Sequence, residues 1–142
     1  MARFIRRPPS EQRLALLAAL VMAAVRLGLA IASVRTVRRI LDRAVARPAA
    51  GSPVPSAPDE VGLAVARAAL VVPGATCLVQ SLALEALLRR RGCPARLCVG
   101  FARGAGRDLA GHAWVESAGW ASAGAGEIAG YAGARDLRPE RR

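Results

Sequence analysis

Pro73-Gly74-Ala75-Thr76-Cys77-Leu78-Val79-Gln80-Ser81 sits where a loop ends and a strongly helical run begins. Pro73-Gly74 punctuates the chain. Thr76 is a natural cap, so the pattern predicts a helix that opens at Cys77 and carries Leu78, Ser81, Leu82, Leu84, Glu85, Leu87 and Leu88. Arg89, Arg90 and Arg91 crowd its last turn, where cations suit the helix dipole, and Gly92 stops it. A thiol in the first turn lies beside N–H groups that lack intrahelical acceptors and beside partial positive charge. Both favour thiolate over thiol, and the thiolate is the nucleophile.

Downstream, residues 95–102 read as a short strand, 104–108 as a turn and 111–117 as a second strand. The second strand contains the chain's single histidine, His112, 35 residues after Cys77. His112, Trp114 and Glu116 share one face of it, with Ala113 and Val115 on the other. An imidazole can take a thiol proton and return it to a leaving amine. Cys77 and His112 are therefore candidate nucleophile and base, and the wager is that they meet in the fold. The Cys77 backbone N–H is a candidate oxyanion donor, and Gln80, one turn along, is a weaker one. Cys93 and Cys98 read as small apolar residues. Such a pair usually takes a third group to orient the imidazole. A tight turn at Ala118-Gly119 would set Glu116 opposite Trp120 and His112 opposite Gly124, with a weak third strand from Trp120. Glu116 is on the right face but about 13 Å along the strand from His112. Glu127 and Asp136 are the remaining acids downstream.

Upstream, a helix is expected from Glu11 to about Ala32, with Ser10 as its cap. It is apolar on most sides. Arg26 interrupts it short of the ~20 apolar residues of a membrane span, so it reads as a buried or membrane-skimming helix. A second helix over 34–45 should expose a basic stripe of Arg35, Arg38, Arg39 and Arg43 and pack Val34, Val37, Ile40, Leu41 and Ala44. A third starts at Ser56-Ala57-Pro58-Asp59, capped by Ser56, and ends before Pro73. Four segments result: basic and apolar helices over 1–46, a Pro-rich linker over 47–58, a core over 59–134 and a frayed charged tail over 135–142.

With 142 residues the chain can bury one modest core, and with 4% aromatics that core must be mostly Ala, Leu and Val. A net charge of +11, from 21 basic and 10 acidic residues, favours anionic partners. Interleaved aromatics and nucleic-acid-reading motifs are lacking, so no nucleic-acid partner is expected. One histidine and no Cys-x-x-Cys argue against a structural metal. No cofactor is expected. An unpaired thiol in a hydrolase fits a reducing, cytoplasmic compartment.

Cys77 to Leu84, Leu87-Leu88-Arg89-Arg90-Arg91-Gly92, Val99-Gly100 and His112-Ala113-Trp114-Val115-Glu116 together resemble the lasso-peptide leader peptidases, the transglutaminase-like half of the split lasso-peptide B protein. The likeness covers roughly 64–131. It implies an α+β fold with a papain/transglutaminase-like core, in which a helix bearing Cys77 packs on a small antiparallel sheet bearing His112. It further implies a bacterial cysteine peptidase that cuts the leader from a ribosomally made precursor. A separate leader-recognition protein would present that leader, and a lasso macrocyclase would follow. In this resemblance Cys77 matches the nucleophile and His112 the base. The family's aspartate belongs where this chain has Gly124, which leaves a shifted acid such as Glu127, a dyad, or a locally damaged site. The alternative is a non-catalytic scaffold that binds peptide or protein partners through its basic helices. Those helices are also expected to make a peripheral membrane contact.

Overall fold

Four helices precede the sheet: α1 (Pro9–Ile31), α2 (Val34–Val45), α3 (Pro58–Ala69) and α4 (Cys77–Arg90). The strands β1 (Arg96–Arg103), β2 (Leu109–Ser117), β3 (Trp120–Ala121) and β4 (Ala132–Asp136) form one antiparallel sheet in the order β3-β2-β1-β4. A computed structural model describes residues 8–46, 58–103, 109–117, 120–121 and 132–136. The expected turns at 104–108 and 118–119, the cap Ser56, all of the 47–58 linker but Pro58, Gly124 and Glu127 lie outside the described residues.

The α+β architecture is the one the sequence implied. Helix α4 is its axis: Val79 and every residue from Ser81 to Leu88 are buried. The sheet covers one side of it through β2 and β1, and α1, α3 and α2 cover the rest. The hydroxyl of Thr76 accepts the Val79 N–H at 3.4 Å and so caps α4. Gly92, at φ +76°, ends the helix in a conformation that a side chain would resist. Gly74, at φ +69°, makes the turn into α4, and a Cβ there would come within 2.5 Å of the Arg26 Nε. The alternation expected of β2 holds. Ala113 and Val115 join Leu97 in the core under α4, and His112, Trp114 and Glu116 take the opposite face.

Several local expectations are corrected. Helix α1 begins at Pro9 with Pro8 at its N-cap and no side-chain cap, so Ser10 lies inside the first turn. Pro at the helix start is preorganised there and lacks only an N–H that has no acceptor in any case. Leu14, Ala18, Met22 and Val25 of α1 are buried against α3 and α4, while Leu16, Leu20, Leu27 and Ile31 stay exposed. By length and composition α1 could cross a membrane, yet one stripe of it is part of the protein core.

Helix α2 turns differently from its charge pattern. Ile40 is 58% exposed and Arg38 only 7%. The Arg38 Nη2 donates to Glu85 Oε1 at 2.9 Å and to Oε2 at 3.3 Å. Glu85 is buried on α4, and a buried carboxylate needs a cation or donors, which draws Arg38 inward. Leu97 N–H supplies a further donor at 3.1 Å, so one carboxylate joins α2, α4 and β1. Arg89 pairs with Asp42 beside it.

Strand β4 takes in Arg135 and Asp136, which the sequence assigned to a tail. It pairs with β1 through Cys98 opposite Asp136 and Val99 opposite Arg135, because β1 otherwise offers an unpaired edge to the chain's end. The β2–β3 register is one residue away from expectation: Glu116 faces Ala121 and Ser117 faces Trp120.

Candidate active site

The start of α4 and the middle of β2 open onto one cleft of about 480 Å³. Cys77, Gln80 and Ser81 line it from α4, His112 and Ala113 from β2, and Asp59, Gly62 and Leu63 from α3. Cys77 is the first residue of α4, half-buried at the edge of the core. Its backbone N–H belongs to the helix end that has no intrahelical carbonyl to meet. The two residues that the sequence singled out thus line one cleft, although His112 lies on the face of β2 away from α4. Adjacent His112 and Ala113 both line the cleft.

Three interactions hold these walls in place. Ser81 Oγ donates to the Ala113 carbonyl at 3.0 Å, which pins the second turn of α4 to the residue beside His112. Gln80 Nε2 donates to the Ala75 carbonyl at 2.8 Å and ties the turn before Cys77 back onto the helix. The candidate oxyanion amide therefore has one of its two N–H groups engaged in holding that turn. The imidazole of His112 lies over the Trp114 indole, with centroids 6.1 Å apart and planes at 19°.

A model of the transglutaminase-like superfamily matches residues 8–134. The chain belongs to this superfamily. It includes cysteine-peptidase-like members. No curated protein and no solved structure matches the chain.

In this transglutaminase-like domain, Glu116 is committed elsewhere. Its carboxylate accepts from Arg96 Nη2 at 2.8 Å and from Trp114 Nε1 at 3.1 Å. These two bonds, the arginine's first, hold Glu116 below the ordinary carboxylate range. It steadies the indole on which the imidazole stacks, and so acts on His112 at one remove. Asp136 sits opposite Cys98, a register position two residues along β1 from Gly100, the partner of His112.

The other two cysteines are buried, Cys98 at 1% exposure. Burial first, and the Glu116 carboxylate second, push the Cys98 thiol up, which disfavours its thiolate. No group of three or more His, Cys, Asp or Glu residues is placed to hold a metal ion among the described residues.

Sequence reasoning missed Asp59, Ser81 and the supporting role of Trp114. Asp59 reads locally as a helix-start acid. Nothing in its neighbours signals that α3 will lie along α4 and turn this first-turn residue onto the cleft.

Proposed function

We propose that this protein is a cysteine peptidase that removes the leader from a ribosomally synthesised lasso-peptide precursor. The observation that carries the reading is the shared cleft of Cys77 and His112, with the thiol at a helix N-terminus. The superfamily membership and the sequence resemblance support it.

In this mechanism the Cys77 thiolate attacks the scissile carbonyl carbon. The new oxyanion is met by the Cys77 N–H and the positive end of α4. Imidazolium His112 gives its proton to the leaving amine as the C–N bond breaks, leaving a thioester. Neutral His112 then takes a proton from water as the hydroxide adds to the thioester carbonyl, and the C–S bond breaks to release the acid and restore the Cys77 thiolate beside the His112 imidazolium. Trp114 keeps the imidazole plane in place.

A separate leader-recognition protein delivers the substrate, and we assign its docking to the exposed face of α1, where Leu16, Leu20, Leu27 and Ile31 form a stripe. The test is reconstitution with precursor and recognition protein, read by mass spectrometry. Cys77→Ala is expected to abolish leader release; undiminished cleavage by that variant ends the reading.

A second reading, a non-catalytic scaffold binding partners through its basic helices, is favoured by Gly124 at the position of the family's aspartate. A neutral thiol-reactive probe separates the two. Selective labelling of Cys77 that is lost in His112→Ala supports the peptidase, and equally slow labelling of all three cysteines supports the scaffold.

A further inference from the structure

On the face of the sheet away from α4, Arg96, Cys98 and Gly100 of β1 stand opposite Glu116, Trp114 and His112 of β2. Side chains two residues apart on a strand are neighbours on one face. Gly100 brings no side chain to the imidazole from β1, and Trp114 flanks it from β2, with centroids 6.1 Å apart and planes at 19°. The indole is buried, at 1% exposure. A buried indole N–H takes an acceptor, and Glu116 Oε1 accepts this one at 3.1 Å. That bond selects one of the two broad orientations open to the ring, because the flipped indole would carry its N–H away from the carboxylate. The carboxylate is fixed in turn by Arg96 Nη2, which donates to Oε2 at 2.8 Å. Each oxygen thus serves a different donor. The two bonds, the arginine's first, hold Glu116 below the ordinary carboxylate range, so the anion that both donors favour persists at neutral pH. The Arg96 and Glu116 side chains are 47% and 40% exposed, and ion pairs this open add little to stability. What this pair governs is direction: it holds the acceptor that orients the indole.

We propose that Arg96 is a positioning residue of the active site, which acts from the neighbouring strand through Glu116 and the Trp114 indole to fix the plane of the His112 imidazole. This rests on the reading of His112 as the base that serves Cys77, and it extends that reading to an arginine that touches neither residue's reacting atoms. Proton transfer is steep in geometry, so a ring that turns away from the thiol and the leaving amine loses rate while the peptide is still bound.

The chain has one histidine, so its imidazole C–H resonances are recognised in an NMR spectrum of the full chain without rivals. The ring current of the indole displaces them from the values of an unstacked histidine. Arg96→Met is expected to lose most of that displacement at a temperature well below melting. Glu116→Leu cuts the same chain one link nearer the ring and should lose at least as much. Arg96→Lys keeps a donor for the carboxylate and should restore the native displacement. Arg67→Met breaks the α1–α3 ion pair of Arg67 with Glu11 and should leave the resonances where they are. With precursor and recognition protein supplied, Arg96→Met should lower kcat of leader release by roughly tenfold and leave KM in place. Native resonances in both Arg96→Met and Glu116→Leu, or an equal change in Arg67→Met, overturn the proposal. A native chain that cleaves no leader while Arg96→Met moves the imidazole refutes the peptidase reading and leaves the positioning role standing. Cleavage by the native chain with resonances unmoved in the variants sinks the positioning role alone.

Discussion

Replacing Arg38 by methionine strands the Glu85 carboxylate in the core. The native pair is buried on both sides, with side-chain exposures of 8% and 5%, and its guanidinium contacts both carboxylate oxygens. Removing one partner of such a pair typically costs about 3–5 kcal/mol. A domain of this size has only about 5–15 kcal/mol to lose. At roughly 3–4 °C per kcal/mol, the melting temperature should fall by roughly 10–20 °C. The deficit also depends on pH in a defined direction. Burial, against the opposing pull of Arg38, the Leu97 N–H and Arg89, raises Glu85 above the ordinary carboxylate range. The folded state therefore holds this proton more tightly than the unfolded chain. The stability linked to it is present below the unfolded-state value and is lost as pH rises through the folded one. Without Arg38 the folded value climbs further, so the deficit should be small in mild acid and widen toward neutral pH. Arg38→Met combined with Glu85→Met removes both charges and leaves the Leu97 N–H without its acceptor, at about 1–3 kcal/mol. The double variant should thus be more stable than Arg38→Met alone. Urea titrations at about pH 5 and pH 8 decide the matter. A deficit below about 1 kcal/mol, or one that ignores pH, would refute the reasoning.

Ser81→Ala should cost about 1 kcal/mol in urea titrations and lower the turnover of leader cleavage while leaving leader affinity intact, since it loosens the tie between α4 and Ala113; unchanged turnover would show that the bond does not position the reacting pair. Arg96→Gln should destabilise the protein at neutral pH and converge with the native chain as acid protonates Glu116, because the stability linked to a lowered carboxylate is present above the unfolded-state value and is lost as pH falls through the folded one. A difference that persists at low pH in thermal melts would count against this account. Leu20→Glu with Leu27→Glu should abolish binding of the recognition protein while Cys77 labelling continues, because both leucines lie on the exposed stripe of α1. Retained binding by this double variant would place the docking surface elsewhere, and loss only of sedimentation with anionic vesicles would mark the stripe as a lipid contact.

The features legible in the sequence are those with local causes. Thr76 caps α4 through an N–H three residues away, Gly92 ends the helix by its own backbone freedom, and the alternation over His112 to Glu116 is set by the period of a strand. Composition and spacing within a dozen residues were enough for these, and they placed Cys77 on a helix start and His112 on a strand. The largest misplacement depends on a partner far along the chain. Arg38 looked like part of a solvated stripe because its acceptor, Glu85, is 47 residues away. The β2–β3 register slipped by one residue because the pairing is decided where the two strands meet.

What the amino-acid order alone determined was which chemical groups exist and on which elements they ride: a thiol at a helix N-terminus, one imidazole on a strand, and a chain of strong positive charge. What the tertiary structure decided was company. Packing α3 along α4 placed Asp59 on the cleft, the buried Glu85 drew Arg38 inward, and Arg96 and Trp114 claimed Glu116. A side chain's partners follow from which surfaces exclude water together, a property of the assembled core that no single segment carries.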